Sequence, residues 1–133
     1  MAVINLREFL GNLKREGGDA IGVLPVIQKK IALQALSGVV NRTPVDTGRA
    51  RGNWQTTVGQ PALGQVDGTD KDGSPTIEDG LSALVNLEPF DQVWITNNVP
   101  YIEALENGHS DQAPAGMLAV TVASIEQQYQ VVE

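Results

Sequence analysis

Residues 43–54, TPVDTGRARGNW, constrain the path of this chain more than any other stretch. Pro44 has no N–H to give and a ring that blocks an upstream helix from continuing, and it pushes Thr43 towards extended geometry. Asp46 and Thr47 carry short side-chain oxygens that fold back onto nearby backbone N–H groups. Gly48 takes a positive φ without strain. Arg49, Arg51 and Trp54 follow at once. A helix therefore stops here, the chain turns, and the next element leaves in a set direction.

Apolar periodicity assigns the elements on either side. Leu24, Ile27, Ile31, Ala35 and Val39 recur at three- and four-residue steps, which predicts a helix from near Pro25 to Val40 or Asn41. Leu6, Phe9, Leu10 and Leu13 predict a shorter amphipathic helix over 5–15, broken by Gly17 and Gly18. After the corner, the Thr/Trp/Val content of 50–58 reads as a strand. Residues 59–75 form a Gly/Pro/Asp-rich loop with little in it to pack. A helix follows over 76–87, with Ile77, Leu81, Leu84 and Val85 on its apolar face. Residues 90–97 make a second strand with Trp94 in the core, leaving Trp54 and Tyr101 as core or interface aromatics. A short helix runs over 101–106 and ends at Asn107-Gly108. Leu118, Val122, Ile125 and Tyr129 mark a last helix. Two strands make a marginal sheet, so a third is expected from the 59–75 region or from a neighbouring subunit.

The class is α+β: a small antiparallel sheet packed against a long N-terminal helix and a C-terminal helix, with a long Gly/Pro/Asp loop. At 133 residues this is one domain, 1–133, with 1–18 as a helical arm and 59–75 as a flexible loop. With no cysteine there is no disulfide or thiolate chemistry. The N-terminus lacks the basic-then-apolar pattern of a secretory signal, and no apolar run reaches the ~20 residues of a membrane span. The net charge of −7 is segregated: residues 1–51 hold eight basic and four acidic residues (+4), and residues 52–133 hold one basic and twelve acidic residues (−11). That asymmetry suits head-to-tail contact between copies or a polar stack, and it argues against a phosphate-gripping surface.

Motifs that carry chemistry are weak here. His109 is the single histidine, and Ser110 and Asp111 beside it are neighbours in sequence, which does not make triad geometry. From Asp67 to Glu78 the span equals that of an EF-hand loop. Inside it the third, fifth and glycine positions hold Thr69, Lys71 and Asp72, so Asp67, Asp70 and Asp72 read as a solvated acidic loop. No phosphate-binding glycine motif is present. Arg49 and Arg51 suit an acidic partner, and Glu106 is the pairing to test, within a subunit or across to the next.

The run at 43–54, with Asp46, Thr47, Gly48, Arg49, Arg51 and Trp54, resembles an R-T-P-V-D-T-G-…-S/N-W signature. A second segment, NVPY at 98–101 and LENGHSDQAPAGM at 105–117, resembles an N-x-x-P-Y-…-L-E-x-G-x-S-x-Q-A-P-x-G-M signature. It holds Pro100, Tyr101, Glu106, Gly108, His109, Gln112 and Pro114. Both resemble the minor tail-component or tail-completion (neck) proteins of long-tailed double-stranded DNA bacteriophages. The likeness covers most of 20–130 and leaves out 59–75.

The resemblance implies a structural virion protein, not an enzyme, assembled in the bacterial host's cytoplasm and sited at the head–tail junction. It implies a homo-oligomeric ring, six-fold like the tail tube, that touches the head-closure or connector protein and the tail terminator or tube. Double-stranded DNA passes its lumen without specific binding. No cofactor, metal, membrane or catalytic residue is called for. The alternatives are a tail terminator or head-closure ring subunit, and, remotely, a small hydrolase using His109. The motif residues named above are expected to serve subunit contact or geometry, and the two segments to lie close together.

Overall fold

Pro25 lies in the first turn of a 19-residue helix, where a missing N–H costs nothing. The computed structural model describes residues 2–5 and 24–129. Helix α1 (Leu24–Arg42) follows the predicted span, and the rule that ends it is the one read from the sequence. Thr43 closes the last turn with an N–H to the Val40 carbonyl and a hydroxyl to the Val39 carbonyl, and Pro44 prevents more. Ile31, Ala32, Ala35, Leu36, Val39 and Val40 form its buried face.

Beyond the corner come α2 (Arg49–Gly52) and then β2 (Gln55–Val58), counting the N-terminal strand Ala2–Asn5 as β1. The strand expected over 50–58 is thus half its length. Gly48 at φ 91° redirects the chain into one helical turn, closed by Gly52 N–H to the Gly48 carbonyl, and only from Gln55 is the backbone extended. Helix α3 (Ser74–Ala83), strand β3 (Val93–Asn97), helix α4 (Ile102–Glu106) and helix α5 (Leu118–Tyr129) complete the order.

The sheet is antiparallel with order β1-β3-β2; Ala2 pairs with Asn97 and Asn5 with Trp94 on one side of β3, Gln55 with Thr96 and Val58 with Val93 on the other. The third strand therefore comes from the N-terminus and not from 59–75. Residues 2–5 of the expected 1–18 helical arm, with Asn5 among them also placed in the 5–15 helix by the periodicity, form that strand because they pair with β3. Residues 1 and 6–18 lie outside the described residues.

Helices α3 and α5 both pack on α1, and α3 also lies on β2. Gly80 makes that packing close: a Cβ there would overlap Leu36 Cδ2 outright. Helix α3 stops at Ala83, four residues short of the expected end. Its buried residues are Thr76 and Gly80, with Leu84 just after, while Leu81 and Val85 are exposed. One core collects the α1 face with Trp54, Val93, Ile95, Ile102, Met117 and Ile125.

Candidate functional site

The corner is built from side chains that close off the end of α1. Trp54 is 2% exposed, and its indole N–H donates to Thr43 Oγ1 at 2.7 Å. Arg51 lays its guanidinium across the same helix end, donating to the carbonyls of Asn41 (3.3 Å) and Thr43 (3.0 Å) and to that of Lys71 (2.7 Å). A cation over the free carbonyls of a helix C-terminus satisfies those acceptors and offsets the negative end of the helix dipole. Thr47 Oγ1 accepts from the Arg49 N–H at 3.2 Å, the fold-back read from the sequence. Asp46 is exposed, and its carboxylate bonds nothing among the described residues.

The second segment is organised by Glu106. Its Oε1 accepts from the N–H groups of Met117 (3.0 Å) and Leu118 (2.8 Å), and its Oε2 from Ala119 (3.0 Å), so it caps the start of α5. The expected pairing of Glu106 with Arg49 or Arg51 is not made within the chain, because the carboxylate is spent on α5 and Arg51 on α1. The glycines of the motif explain themselves at two points. Gly108 (φ 86°) and Gly116 (φ 85°) leave room for backbone contact: a Cβ at Gly108 would run into the Pro114 carbonyl oxygen, and one at Gly116 would lie 2.5 Å from that of Glu106. Pro100 precedes α4 and Pro114 faces solvent; Ala113 and Met117 are buried.

The two segments lie together, as expected, and Gln112 joins them. Its side-chain amide pairs with the backbone of Val45 in both directions, Oε1 accepting at 3.0 Å and Nε2 donating at 3.3 Å. The Arg49 guanidinium stands over the Tyr101 ring, 5.9 Å from its centroid, and donates to Gln65. Two open grooves flank the junction. One of about 440 Å³ runs between Pro44–Ala50 and the side chains of Tyr101, Leu105 and Ser110. The other, about 370 Å³, is walled by Arg42, Arg51, Ala113, Pro114, Ala115 and Val120, and no acidic residue lines it.

Residues 59–73 are mostly exposed, with Asp70 and Gly73 buried, but side chains and backbone tie them to the rest of the fold by hydrogen bonds. Asp70, read as part of a solvated acidic loop, is 9% exposed and caps α3. Its Oδ1 accepts from the N–H groups of Asp72 and Gly73, and its Oδ2 from the N–H and hydroxyl of Thr76. Burial by itself pushes the Asp70 carboxyl up, but the hydrogen bonds from Thr76, Gly73 and Asp72 outweigh it and hold the group below its ordinary value. Asn53 pairs with Val66 in both directions, and buried Asn97 donates to the Ala50 carbonyl at 2.8 Å.

Sequence reasoning does not single out the roles of Asp70, Asn53 or Asn97. Only the Asp70 role has a signal, an acid ahead of the Gly-Ser-Pro start of a helix. Trp94, expected in the core, is half-buried with its N–H on the Gly59 carbonyl at 3.2 Å; Trp54 takes the interior place.

His109 is exposed. Ser110 Oγ accepts from the Gln112 N–H at 3.2 Å, so that hydroxyl serves the turn. Among the described residues no three His, Asp or Glu side chains gather to hold a metal ion, and no helix is long and apolar enough to cross a membrane. What the arrangement does chemically is terminate three helices with two carboxylates and a guanidinium, and present two grooves beside them. No family model, curated protein or solved structure matches the chain.

Proposed function

We propose that the chain is a structural subunit of a long-tailed phage virion, a neck or tail-completion protein that forms a ring around the DNA channel where the tail meets the capsid connector. The observation that carries the reading is the Gln112–Val45 pairing. It makes one structural unit of the two segments whose likeness to that family suggests the function. The motif residues then have a common purpose. Gly48, Arg51 and Trp54 set the corner, Glu106, Gly108 and Gly116 set the start of α5, and Gln112 locks one to the other. A ring subunit needs this kind of rigid corner, because a small error in the angle between neighbours accumulates around the ring and prevents closure.

The charge distribution supports the same reading. A chain of net charge −7, with a single Lys/Arg after residue 51, lets a polyanion pass its acidic part without adhering. No catalytic, cofactor or metal residue is assigned, and His109 is read as a surface residue.

The test is deletion of the gene in the phage that encodes it, with electron microscopy of the lysate. The expected result is filled heads and separate tails, and, in wild-type particles, density for this subunit at the head–tail junction. Particles that join normally without the chain, or density for it at the tail tip, refute the proposal.

A further inference from the structure

Leu63 is 91% exposed, the most exposed large apolar side chain among those described, yet the loop that carries it is not loose. Asn98 Nδ2 donates to the carbonyls of Ala62 (2.8 Å) and Gly64 (3.0 Å), and Gln55 Nε2 to Gly64 (2.6 Å). Arg49 holds Gln65, and Asn53 holds Val66 through both its amide atoms. The residues on both sides of Leu63 are tied to the β2 and β3 ends and the corner, so the leucine is held out in water on a fixed loop. Val66, 45% exposed, lies close to it in sequence. An apolar side chain presented rigidly has already lost the freedom that binding would take from it, which is the form of an interface anchor.

The groove walled by Arg42, Arg51, Pro114, Ala115 and Val120 has the complementary character. Its walls mix those apolar residues with polar Asn41, Thr43 and Gln112, and its charged residues, Arg42 and Arg51, are both positive. Arg42 makes one side-chain bond there, to the Thr121 hydroxyl at 3.2 Å, and otherwise keeps its charge unpaired among the described residues. The Leu63 loop carries the opposite charge in Asp67, which is exposed and whose carboxylate bonds nothing among the described residues. None of the side chains that hold residues 62–66 lines this groove, so knob and groove are separate surfaces of the subunit.

We infer that a second copy of this chain seats its Leu63 loop in the Arg42/Arg51 groove, with Asp67 facing Arg42. A contact between two different surfaces is head-to-tail. It repeats from copy to copy until it closes as a ring or continues as a filament. This rests on the ring reading above and names the surfaces that build it.

The chain has no cysteine, so introduced pairs report contact between copies directly. Leu63→Cys protein is mixed with Ala115→Cys protein and oxidised, and the masses are read on a denaturing gel. The expected product is the mixed dimer, in clear excess over either homodimer. The variant carrying both cysteines should give a ladder. In native mass spectrometry, Leu63→Ser should shift the assembly to monomer with an unchanged melting temperature. Arg42→Glu should weaken assembly at least tenfold, with recovery on adding Asp67→Lys. If Leu63→Ser leaves the oligomer intact, or cross-links form only between identical sites, this contact is wrong while the ring reading stands. A wild-type chain that stays monomeric at high concentration, and with the tail and connector components present, overturns both.

Discussion

Replacing Gly48 by alanine tests whether the corner is fixed by backbone contact or only by a turn conformation. Gly48 sits at φ 91°, so any side chain there meets left-handed strain of about 1–2 kcal/mol. The structure adds a second cost. A Cβ at Gly48 would lie 2.8 Å from the Asp70 carbonyl carbon and 2.9 Å from the amide nitrogens of Asp70 and Lys71. These are backbone atoms, held by the Asp70 N–H to the Gly48 carbonyl at 2.9 Å and by the Asp70 cap, so they cannot swing aside like a side chain. Forcing them apart adds about 1–3 kcal/mol of overpacking.

Gly59 is the internal control. It has φ 97°, and a Cβ added there would meet nothing within 4 Å, so Gly59→Ala meets the strain alone. Alanine also reduces the freedom of the unfolded chain, which offsets about 0.4–1 kcal/mol in both variants. The predicted losses are therefore about 0.5–1 kcal/mol for Gly59→Ala and about 2–4 kcal/mol for Gly48→Ala. In a domain of this size the gap is a difference in Tm of roughly 5–10 °C. Urea unfolding gives the energies, and hydrogen exchange should show the Asp70 and Gly52 amides opening faster in Gly48→Ala only. If the two variants lose the same stability, the close approach of the corner to residues 70–71 does not hold the fold.

Three further substitutions probe the other supports of the site. Asp70→Asn should cost about 1–3 kcal/mol at neutral pH. The folded-state value of Asp70 is lowered, so its contribution is fully present above the ordinary value of 3.8 and is lost as pH falls through the lowered value. A stability-versus-pH series should therefore be flatter below about pH 4 in the variant; an unchanged acid limb sinks the assignment. Glu106→Gln turns an amide donor towards the N–H groups that the carboxylate accepts, and should cost about 1–2 kcal/mol by urea unfolding, with faster exchange at the Leu118 and Ala119 amides. Thr43→Val leaves the buried Trp54 N–H without an acceptor and should cost about 1–3 kcal/mol. A double-mutant cycle with Trp54→Phe should recover a coupling of at least about 0.5 kcal/mol, and additivity refutes the bond's importance.

The elements legible in the sequence are those set by chain-local rules. Helix α1 has its face written at three- and four-residue steps and its stop written in Thr43-Pro44, so both ends fall within two residues of the expected ones. Helices α4 and α5 are bounded by Pro100, Asn107-Gly108 and Pro114 in the same way. The departures have a common cause. The strand read over 50–58 begins late because Gly48 leads into a helical turn that the Thr/Trp content does not register. The third strand escapes a sequence reading because Ala2–Asn5 is short and gains its status only by pairing with Val93–Asn97, a contact across most of the chain. The exchange of Trp54 for Trp94 in the interior has the same origin. Alternation along β3 puts Val93 and Ile95 inward and Trp94 outward, while Trp54 is drawn in by a hydroxyl eleven residues back.

The candidate site divides along the same line, and the division bears on how such a motif is used. Glycine and proline positions announce the turn at 46–48 and the start of α5, because those residues act through their own backbone. The charged residues mislead. Arg49, Arg51 and Glu106 look like an ion-pair set, and Asp67, Asp70 and Asp72 like an acidic loop, because a sequence displays charge without displaying helix ends. In the fold, Arg51, Glu106 and Asp70 each serve a helix terminus, where a half-charge of the opposite sign waits with several unsatisfied N–H or carbonyl groups. One ionised side chain at such an end satisfies several backbone groups at once, which a surface ion pair, worth about 0–1 kcal/mol, does not match. Charges that serve no helix end in this way include those on Asp46 and Asp67, beside the corner and the Leu63 loop. With carboxylates that bond nothing among the described residues, these two are available to specify a neighbour, so substitutions there should alter assembly while leaving the monomer's stability within about 0.5 kcal/mol. Arg42, by contrast, also bonds the Thr121 hydroxyl at the end of α1, and its loss should cost more.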